Sequence, residues 1–584
     1  MAKIIDADGK SWSLACRTDS MGRVYARAYR NAWDPVKRRS FVQARIQIGR
    51  VQNDNSISLS ENFKKKFPAF AQGEWFWGDK ELLPREQYNA DYKQHESKDI
   101  SWSDDTIRYG VTWAGWEVLR RNQILRDLED VFGVKDGKLI AALALYKLDG
   151  HNAMMTFEDW VPQVWLPSIC PVSGQRISEL LERIGDAQVD DYYRRRFQRT
   201  MSNSANGHTT LSFDSTSIST YSSTIKDAAY GHAKQDPHLP QINYMTVCDH
   251  ATGDIVYATT YEGSINDKAI LPVIYERMSN AGISLADNIL VTDRGFQSIY
   301  NTQTQINLEL KYIQFLSLTE DAVKQRLRRR AANLADSLAN RDPRLGLTAV
   351  TDREPWTQTI PGIGTLTINA YLHLYRDPHL ATKQTDELHR KVLELLDQKN
   401  DVDNPKSAYV DPEVWRKYGR FLREKHNAPK GEKRWAVNYD ALRKATEFNG
   451  CQAIRSNIIA DPIEAMKIYR QRNIIEQGFR QLKNEVGGDR LQATETTYRG
   501  KLFLYSIAQA IRMSMLQTAK AISAQNKELS LSDDSLTRAL TQLNSLQARL
   551  HRSTSVFVAG PVPKKFRDLM QLLGIKKLPR RLER

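Results

Sequence analysis

A chain of 584 residues is too long for one ordinary hydrophobic core, and 41% apolar with 26% charged residues excludes a mostly disordered or fibrous protein. Eighty-four Lys and Arg against 69 Asp and Glu leave a net charge of +15, which suits a polyanionic partner such as nucleic acid, because cationic side chains release the counterions of phosphates. Four scattered cysteines with no C-x-x-C pair argue against a zinc knuckle or a disulfide framework and fit reduced thiols. MAKIIDADGK lacks the apolar core of a signal peptide, and no apolar run approaches the roughly 20 residues that span a bilayer. The expectation is a soluble, cytoplasmic protein of about two to four domains, with no membrane partner and no organic cofactor.

The first hundred residues read mainly as strands. Val24 to Trp33 and Phe41 to Val51 are β-rich runs joined by DPVKRR, a hairpin whose exposed face carries Arg23, Arg27, Arg30, Arg45 and Arg50. Trp75, Phe76 and Trp77 suit core packing, or stacking on bases. From about 105 to 200 the spacing turns helical, in TWAGWEVLRRNQILRDLEDVF, GKLIAALALYKL and SGQRISELLERI. The polar stretch Ser202 to His208 reads as a linker. From 209 the order is strand (TTLSFDSTSIS), strand (QINYMTVCD), strand (DIVYATTYE), helix (NDKAILPVIYERMSNAG) and strand (NILVTDRGF). A long interval follows. It holds a hairpin, WTQTIPGIGTLTINAYLHLY, and helices near 381–398 and 412–424, and it reads as an inserted subdomain. The strand GCQAIRSNII and a long helix from 462 then look like the missing end of the sheet begun at 209. The tail beyond 525 reads as helical and ends strongly basic.

Three carboxylates stand out. Asp214 sits inside a strand, where a short polar side chain is disfavoured; an exposed edge position is the plain alternative. Asp293 follows Ile289, Leu290 and Val291, at the carboxyl end of a strand, where open α/β sheets place ligand-binding groups; a turn-initiating Asp is the alternative. Glu476 lies on the long helix, for which Asp461 is a candidate N-cap, Pro462 the first residue and Glu464 the reciprocal capping residue. At about 100° per residue, Tyr469, Arg472, Glu476 and Lys483 fall within roughly 60° around the axis, on a stripe roughly 21 Å long. A solvated face with an Arg472–Glu476 pair is the competing account. Taken together, an Asp on a first strand, an Asp after a fourth strand and a Glu on a late helix give the ribonuclease-H-like arrangement. Such a trio can hold two magnesium ions, and only hard oxygen ligands are on offer.

The chain resembles the bacterial insertion-sequence transposases that carry a YREK signature: Tyr, two residues, Arg, three residues, Glu, six residues, Lys. Tyr469, Arg472, Glu476 and Lys483 match without a gap. FDSTS around Asp214, YGHAKQDPHLPQ at 230–241, YEGSINDK at 261–268 and VTDRGF around Asp293 are similar to family segments. The close match covers about 205–300 and 445–515. The resemblance implies an α/β fold with a ribonuclease-H-like catalytic core. It implies an enzyme that cuts the ends of its own mobile element and joins the 3′-hydroxyl to target DNA, in some relatives after a hairpin step. It carries Asp214, Asp293 and Glu476 over as ligands of two Mg2+ or Mn2+ ions, and Tyr469, Arg472 and Lys483 as DNA contacts near the cut.

The resulting organisation is a β-rich region at 1–100, a helical region at 101–204, the core in two parts at 205–300 and 446–524, a large insertion at 301–445 before the last strand and helix, and a basic helical region at 525–584. Residues 1–200 are expected to bind the element's end DNA, with Arg27, Arg45 and Arg50 as candidates. Trp356 is a candidate to stack on a flipped base, or else packs in the core. Pairing two element ends suggests a homodimer on double-stranded DNA, in a nucleoid-associated bacterial protein.

Overall fold

The computed structural model describes residues 3–583 apart from 20–22, 36–38, 53–54, 79, 89–101, 205–206, 232–235, 336–337, 354, 361–363, 402–408, 426–433, 532–534 and 552–553. The chain forms two compact units. One comprises residues 1–106 with 549–558, and the other comprises 107–548 with 559–584.

In the first unit, strands β1 (Lys3–Ile5), β2 (Ser11–Thr18), β3 (Val24–Asp34), β4 (Arg39–Val51), β5 (Ser56–Leu59), β6 (Trp75–Trp77) and β7 (Leu82–Pro84) pair in chain order as an antiparallel sheet. Side chains alternate between its faces. Trp12, Leu14, Ala26, Ala28 and Ile48 turn inward and bury against Phe63 and Phe67. Trp75 and Trp77 pack on the same core, so the aromatic run at 75–77 contributes to packing. The register pairs Tyr25 with Arg50, Arg27 with Gln47 and Tyr29 with Arg45, and residues directly opposite share a face. Arg27, Arg45 and Arg50 therefore stand on the face away from that core.

The second unit opens with helices α1 (Gly110–Arg121), α2 (Ile124–Phe132), α3 (Val134–Leu148), α4 (Gly174–Arg183) and α5 (Asp186–Asn203). The helical stretch 112–132 is two helices, because Gln123 adopts a left-handed φ of 58° and cannot propagate the turn.

A ten-stranded sheet follows. Its strands are β8 (Thr210–Thr220), β9 (Gln241–Asp249), β10 (Ile255–Glu262), β11 (Ile289–Thr292), β12 (Lys311–Phe315), β13 (Arg341–Asp342), β14 (Leu347–Asp352), β15 (Tyr371–Arg376), β16 (Cys451–Ser456) and β17 (Arg490–Leu491). The order is β10-β9-β8-β11-β12-β16-β15-β14-β13, with β17 on β8. Strand β9 runs antiparallel to both β8 and β10, and β11 and β12 run parallel to β8. This is an α/β architecture consistent with a ribonuclease-H-like core. Helix α6 (Asp267–Asn280) covers one face, where Tyr275 meets Phe213 edge-on. Helices α7 (Ile299–Asn307), α8 (Pro378–Asn400), α9 (Pro462–Gln471), α10 (Asn473–Glu485) and the long α11 (Tyr498–Gln525) complete the unit.

Two elements depart from the sequence reading. The interval at 301–445 does not stand apart from the sheet: Lys311–Phe315 is its fifth strand, and β14 and β15 continue it beyond Cys451–Ser456. KYIQF is short and carries Gln314, which is nevertheless fully buried, so its apolar signal is weak. Part of the interval does have its own core, around Val392, Leu395, Phe421 and Leu442. The tail beyond 525 is not wholly helical either, since Gln547–His551 and Val556–Ala559 are strands beside helices Leu536–Leu543 and Lys564–Leu572. Among the described residues no helix is long and apolar enough to cross a membrane, and the four cysteines are free.

The sheet buries two histidines. His373 is fully enclosed, with Nε2 bonded to the Ile459 carbonyl at 3.0 Å and Nδ1 to the Thr351 hydroxyl at 2.9 Å. Burial lowers the pKa of His373 to about 4, and that of His250 likewise to about 4. Because the folded chain favours the neutral rings, the stability they contribute is present above about pH 6.5, the unfolded value, and is lost as pH falls towards 4. Melting temperature is expected to drop across that window, and to drop less in His373→Asn, whose side chain takes no proton.

Candidate active site

The register of the central strands sets the site. Thr292 lies opposite Phe213, so the next residue of each strand, Asp293 and Asp214, comes level at the point where β11 ends. Every other residue of β8 after Thr210 is buried, and the Asp214 side chain keeps 13% exposure. Asp293 leaves β11 into a single turn over Arg294–Phe296, whose first N–H, that of Arg294, donates to Asp293 Oδ1 at 2.7 Å. From the other side, Asp461 caps α9 by accepting the Glu464 N–H at 2.8 Å, with Pro462 in the first turn. Helix α9 then runs to the break that carries Arg472.

That break is a further departure from the sequence reading, which has one continuous helix from 462. The Arg472 N–H donates to the Tyr469 carbonyl at 3.0 Å, and the Ile475 N–H donates to the Arg472 carbonyl at 3.0 Å. Both are three-residue closures, so the chain tightens locally and α10 starts afresh at Asn473. The guanidinium thereby reaches all three carboxylates. Nη2 lies 2.7 Å from Asp214 Oδ2 and 3.4 Å from Asp293 Oδ2, and Nη1 lies 2.8 Å from Glu476 Oε1. The Tyr469 hydroxyl donates to Asp293 Oδ1 at 3.1 Å, and its ring stacks on Phe315 with centroids 4.6 Å apart. Asp214 Oδ1 accepts the Ser215 N–H at 2.9 Å.

Charge and burial grade across the cluster. Arg472 is 7% exposed, Asp293 30% and Glu476 53%, so the site opens on the Glu476 side. Burial works against the Arg472 charge, but Asp214 and then Asp293 more than offset it and raise the guanidinium pKa. Burial, with Asp293 adding, raises the Tyr469 phenol as well.

The carboxylates offer only hard oxygen donors, the chemistry that Mg2+ and Mn2+ prefer. Their positions do not yet form such a site. Arg472 stands at their meeting point, and among the described residues no group of three His, Cys, Asp or Glu is placed to hold a metal ion.

Of the other sequence candidates, Lys483 is half-buried on α10, two turns beyond Glu476. Trp356 opens a two-stranded hairpin, Trp356–Ile360 with Gly364–Ile368; its side chain, like residues 232–235 of the segment at 230–241, lies outside the described residues. Arg27, Arg45 and Arg50 belong to the other compact unit. The residue that sequence reasoning passed over is Asp267, at the start of α6. Its Oδ1 accepts the hydroxyls of Ser215 and Tyr261, each at 2.6 Å, which puts a fourth carboxylate next door to Asp214. Its signal was present in YEGSINDK, where Asn266 caps the helix.

A family model described as the transposase DDE domain matches residues 205–497, half of the chain. No curated protein matches. Among solved structures, a cryo-EM structure of a piggyBac transposase synaptic complex with hairpin DNA is similar over 75% of each chain, at 10% identity and a TM-score of 0.33.

Removing the central cation should expose the repulsion it hides. Arg472→Met is expected to melt below the wild type at low salt, by a margin that shrinks as added salt screens the repulsion among the three carboxylates. Tyr469→Phe keeps the stack on Phe315, loses one hydrogen bond, and should cost only about 1 kcal/mol. Melting curves of both variants at low and high salt check this.

Proposed function

The chain belongs to the transposase DDE domain family, an enzyme class that cuts and joins DNA, and on that premise we propose that it cuts the ends of its own insertion sequence and joins each freed 3′-hydroxyl to target DNA. The observation that carries the reading is the meeting of Asp214, Asp293 and Glu476, from two strands and a helix separated by 79 and 183 residues, on one guanidinium. Structural packing has no use for three carboxylates at one point, whereas phosphoryl transfer does.

Enzymes with a DDE domain generally use divalent metal ions. Here Asp214, Asp293 and Glu476 are the residues that would hold two Mg2+ or Mn2+ ions, which when bound activate the attacking oxygen and stabilise the leaving one. The chain's own groups position the strand. Tyr469 and Lys483 flank Glu476 on the α9–α10 stripe, where a phenol and an ammonium suit phosphate oxygens without reading sequence. Arg472 joins them once a phosphate is within its reach. The YREK spacing supports an insertion-sequence element of bacterial type, and a hairpin step fits the same residues. In this reading the interval at 301–445 is the insertion before the last strand and helix, and Trp356 either stacks on a displaced base or packs in the core. Two copies of the chain act on a pair of ends.

Selection of ends is assigned to residues 1–200, because a core that grips any phosphodiester cannot choose a site alone. The outward face of β3 and β4 supports this, since Arg27, Arg45 and Arg50 sit there beside Tyr25 and Tyr29. Among the described residues none of these three guanidiniums pairs with a carboxylate.

Two measurements test the reading. Asp214→Ala, Asp293→Ala and Glu476→Ala should each abolish cleavage of end DNA in Mg2+ or Mn2+ while leaving affinity for that DNA within a few fold. Nicked but never joined products from the wild type would reduce the protein to a nuclease. In the second, Arg27→Gln, Arg45→Gln and Arg50→Gln together should lower the salt dependence of duplex binding, by about 0.9 in slope for each phosphate that is no longer neutralised. An unchanged slope would move end recognition to another surface.

A further inference from the structure

We propose that Arg472 is a latch: its guanidinium keeps the three carboxylates from binding divalent cations until a DNA phosphate draws it away. The inference rests on the functional reading above and goes beyond it, because it makes metal binding conditional on DNA.

Three observations carry it. The first is saturation of the ligands. Of the six oxygens of Asp214, Asp293 and Glu476, five already accept from, or pair with, protein donors. Asp214 Oδ1 takes the Ser215 N–H and Oδ2 takes Arg472. Asp293 Oδ1 takes the Arg294 N–H and the Tyr469 hydroxyl, and Oδ2 faces Arg472. Glu476 Oε1 takes Arg472. A cation entering the centre meets a positive charge already seated there, at hydrogen-bond distance from two of the carboxylates. The three acidic groups converge, yet none of the described trios is placed to hold a metal ion, and the wedge between them is Arg472.

The second observation is the hinge. Arg472 occupies the break between α9 and α10, with three-residue closures on both sides. A residue there can swing with less disturbance than one inside a continuous helix, because fewer i to i+4 bonds depend on its backbone. Its Nε is buried and has no hydrogen-bond partner, so the carboxylates hold it through its two Nη groups.

The third is the direction of release. The cluster is closed around Arg472 and open at Glu476, whose side chain is 53% exposed. A strand approaching from that side brings phosphate oxygens, which accept from a guanidinium through two parallel bonds. Arg472 then exchanges carboxylate partners for a phosphate, and the freed oxygens face the same strand. Metal ions are in this way admitted only where there is DNA to cut.

The test is Mn2+ binding, followed by the electron paramagnetic resonance signal of the free ion, on the full chain with and without a mixed-sequence 30-base-pair duplex. Without DNA, Arg472→Gln is expected to bind Mn2+ at least about 10-fold tighter than the wild type, within the range of ordinary site-to-site coupling. Adding the duplex should tighten the wild type and narrow that gap. Arg472→Lys keeps the charge but cannot reach all three carboxylates at once, and should fall between. Circular dichroism confirms that each variant is folded; if Arg472→Gln is not, the comparison of Arg472→Lys with the wild type decides in the same direction.

Mn2+ affinity in Arg472→Gln equal to or below that of the wild type would overturn the latch and leave Arg472 as a residue that merely gathers the carboxylates. Asp214→Asn and Glu476→Gln separate the latch from the functional reading beneath it. If they weaken Mn2+ binding while Arg472→Gln changes nothing, the latch alone fails. If they do not weaken it even with the duplex present, the carboxylates are not a metal site, and the functional reading fails with the latch.

Discussion

Three carboxylates brought to one point repel one another, and this fold tolerates them because a single guanidinium stands between them. Arg472 is the constraint on which the neighbouring structure depends. Its side chain is almost fully buried, a costly place for a charge unless it is paired, and its pairing with Asp214, Asp293 and Glu476 answers that cost. Tyr469 and Phe315 pack beside it, and the helix interrupts its own hydrogen bonding to deliver it. Stability and chemistry pull in different directions here. The arrangement that best neutralises the cluster is also the one that occupies the place where metal chemistry would happen.

The scaffold explains why the acids can be so far apart in the chain and still meet. Parallel pairing of β11 with β8 sets Asp293 level with Asp214, a register that cannot slip by one residue without turning both strands inside out. The second helix pair is anchored by the Asp461 cap and by the hydrophobic cluster of Val291, Ile313, Ile454 and Met466, which ties α9 to β11, β12 and β16. Glu476 arrives from a separately anchored element, and its greater exposure reflects that. The two strand carboxylates are fixed by the sheet, and the helix carboxylate has more freedom.

The amino-terminal unit solves a different problem with the same rule of alternation. Ala26 and Ala28 leave room for Trp12 and Phe63 beneath the sheet, and the residues between them turn Arg27 and Tyr29 the other way. A core on one face and arginines on the other come out of one repeated pattern, YARAYR. Among the described residues no carboxylate neutralises Arg27, Arg45 or Arg50, in contrast to the catalytic unit, where Asp127 and Asp254 hold the buried Arg196.

Local chemistry alone determined a good deal of this protein. The strand alternations at 24–51 and 209–262, the Asp461–Pro462 helix start and the four-residue spacing from Tyr469 to Lys483 are all written within a few residues of one another, and the structure has the strands and the cap where those patterns put them. The oddity of Asp214 inside a strand made it a site candidate for the same reason, since an isolated polar residue in an apolar run is a local signal. Pairing between distant segments was decided by the tertiary structure. Lys311–Phe315 is a sheet strand because β11 lies on one side of it and Cys451–Ser456 on the other, and five residues with a buried Gln314 do not announce that. Residues 549–558 join a unit whose other members end at 106. The role of Arg472 belongs with these. Its spacing from Glu476 shows one ion pair on a helix, whereas its hold on Asp214 and Asp293 spans 258 and 179 residues and exists only once the sheet and the broken helix have come together.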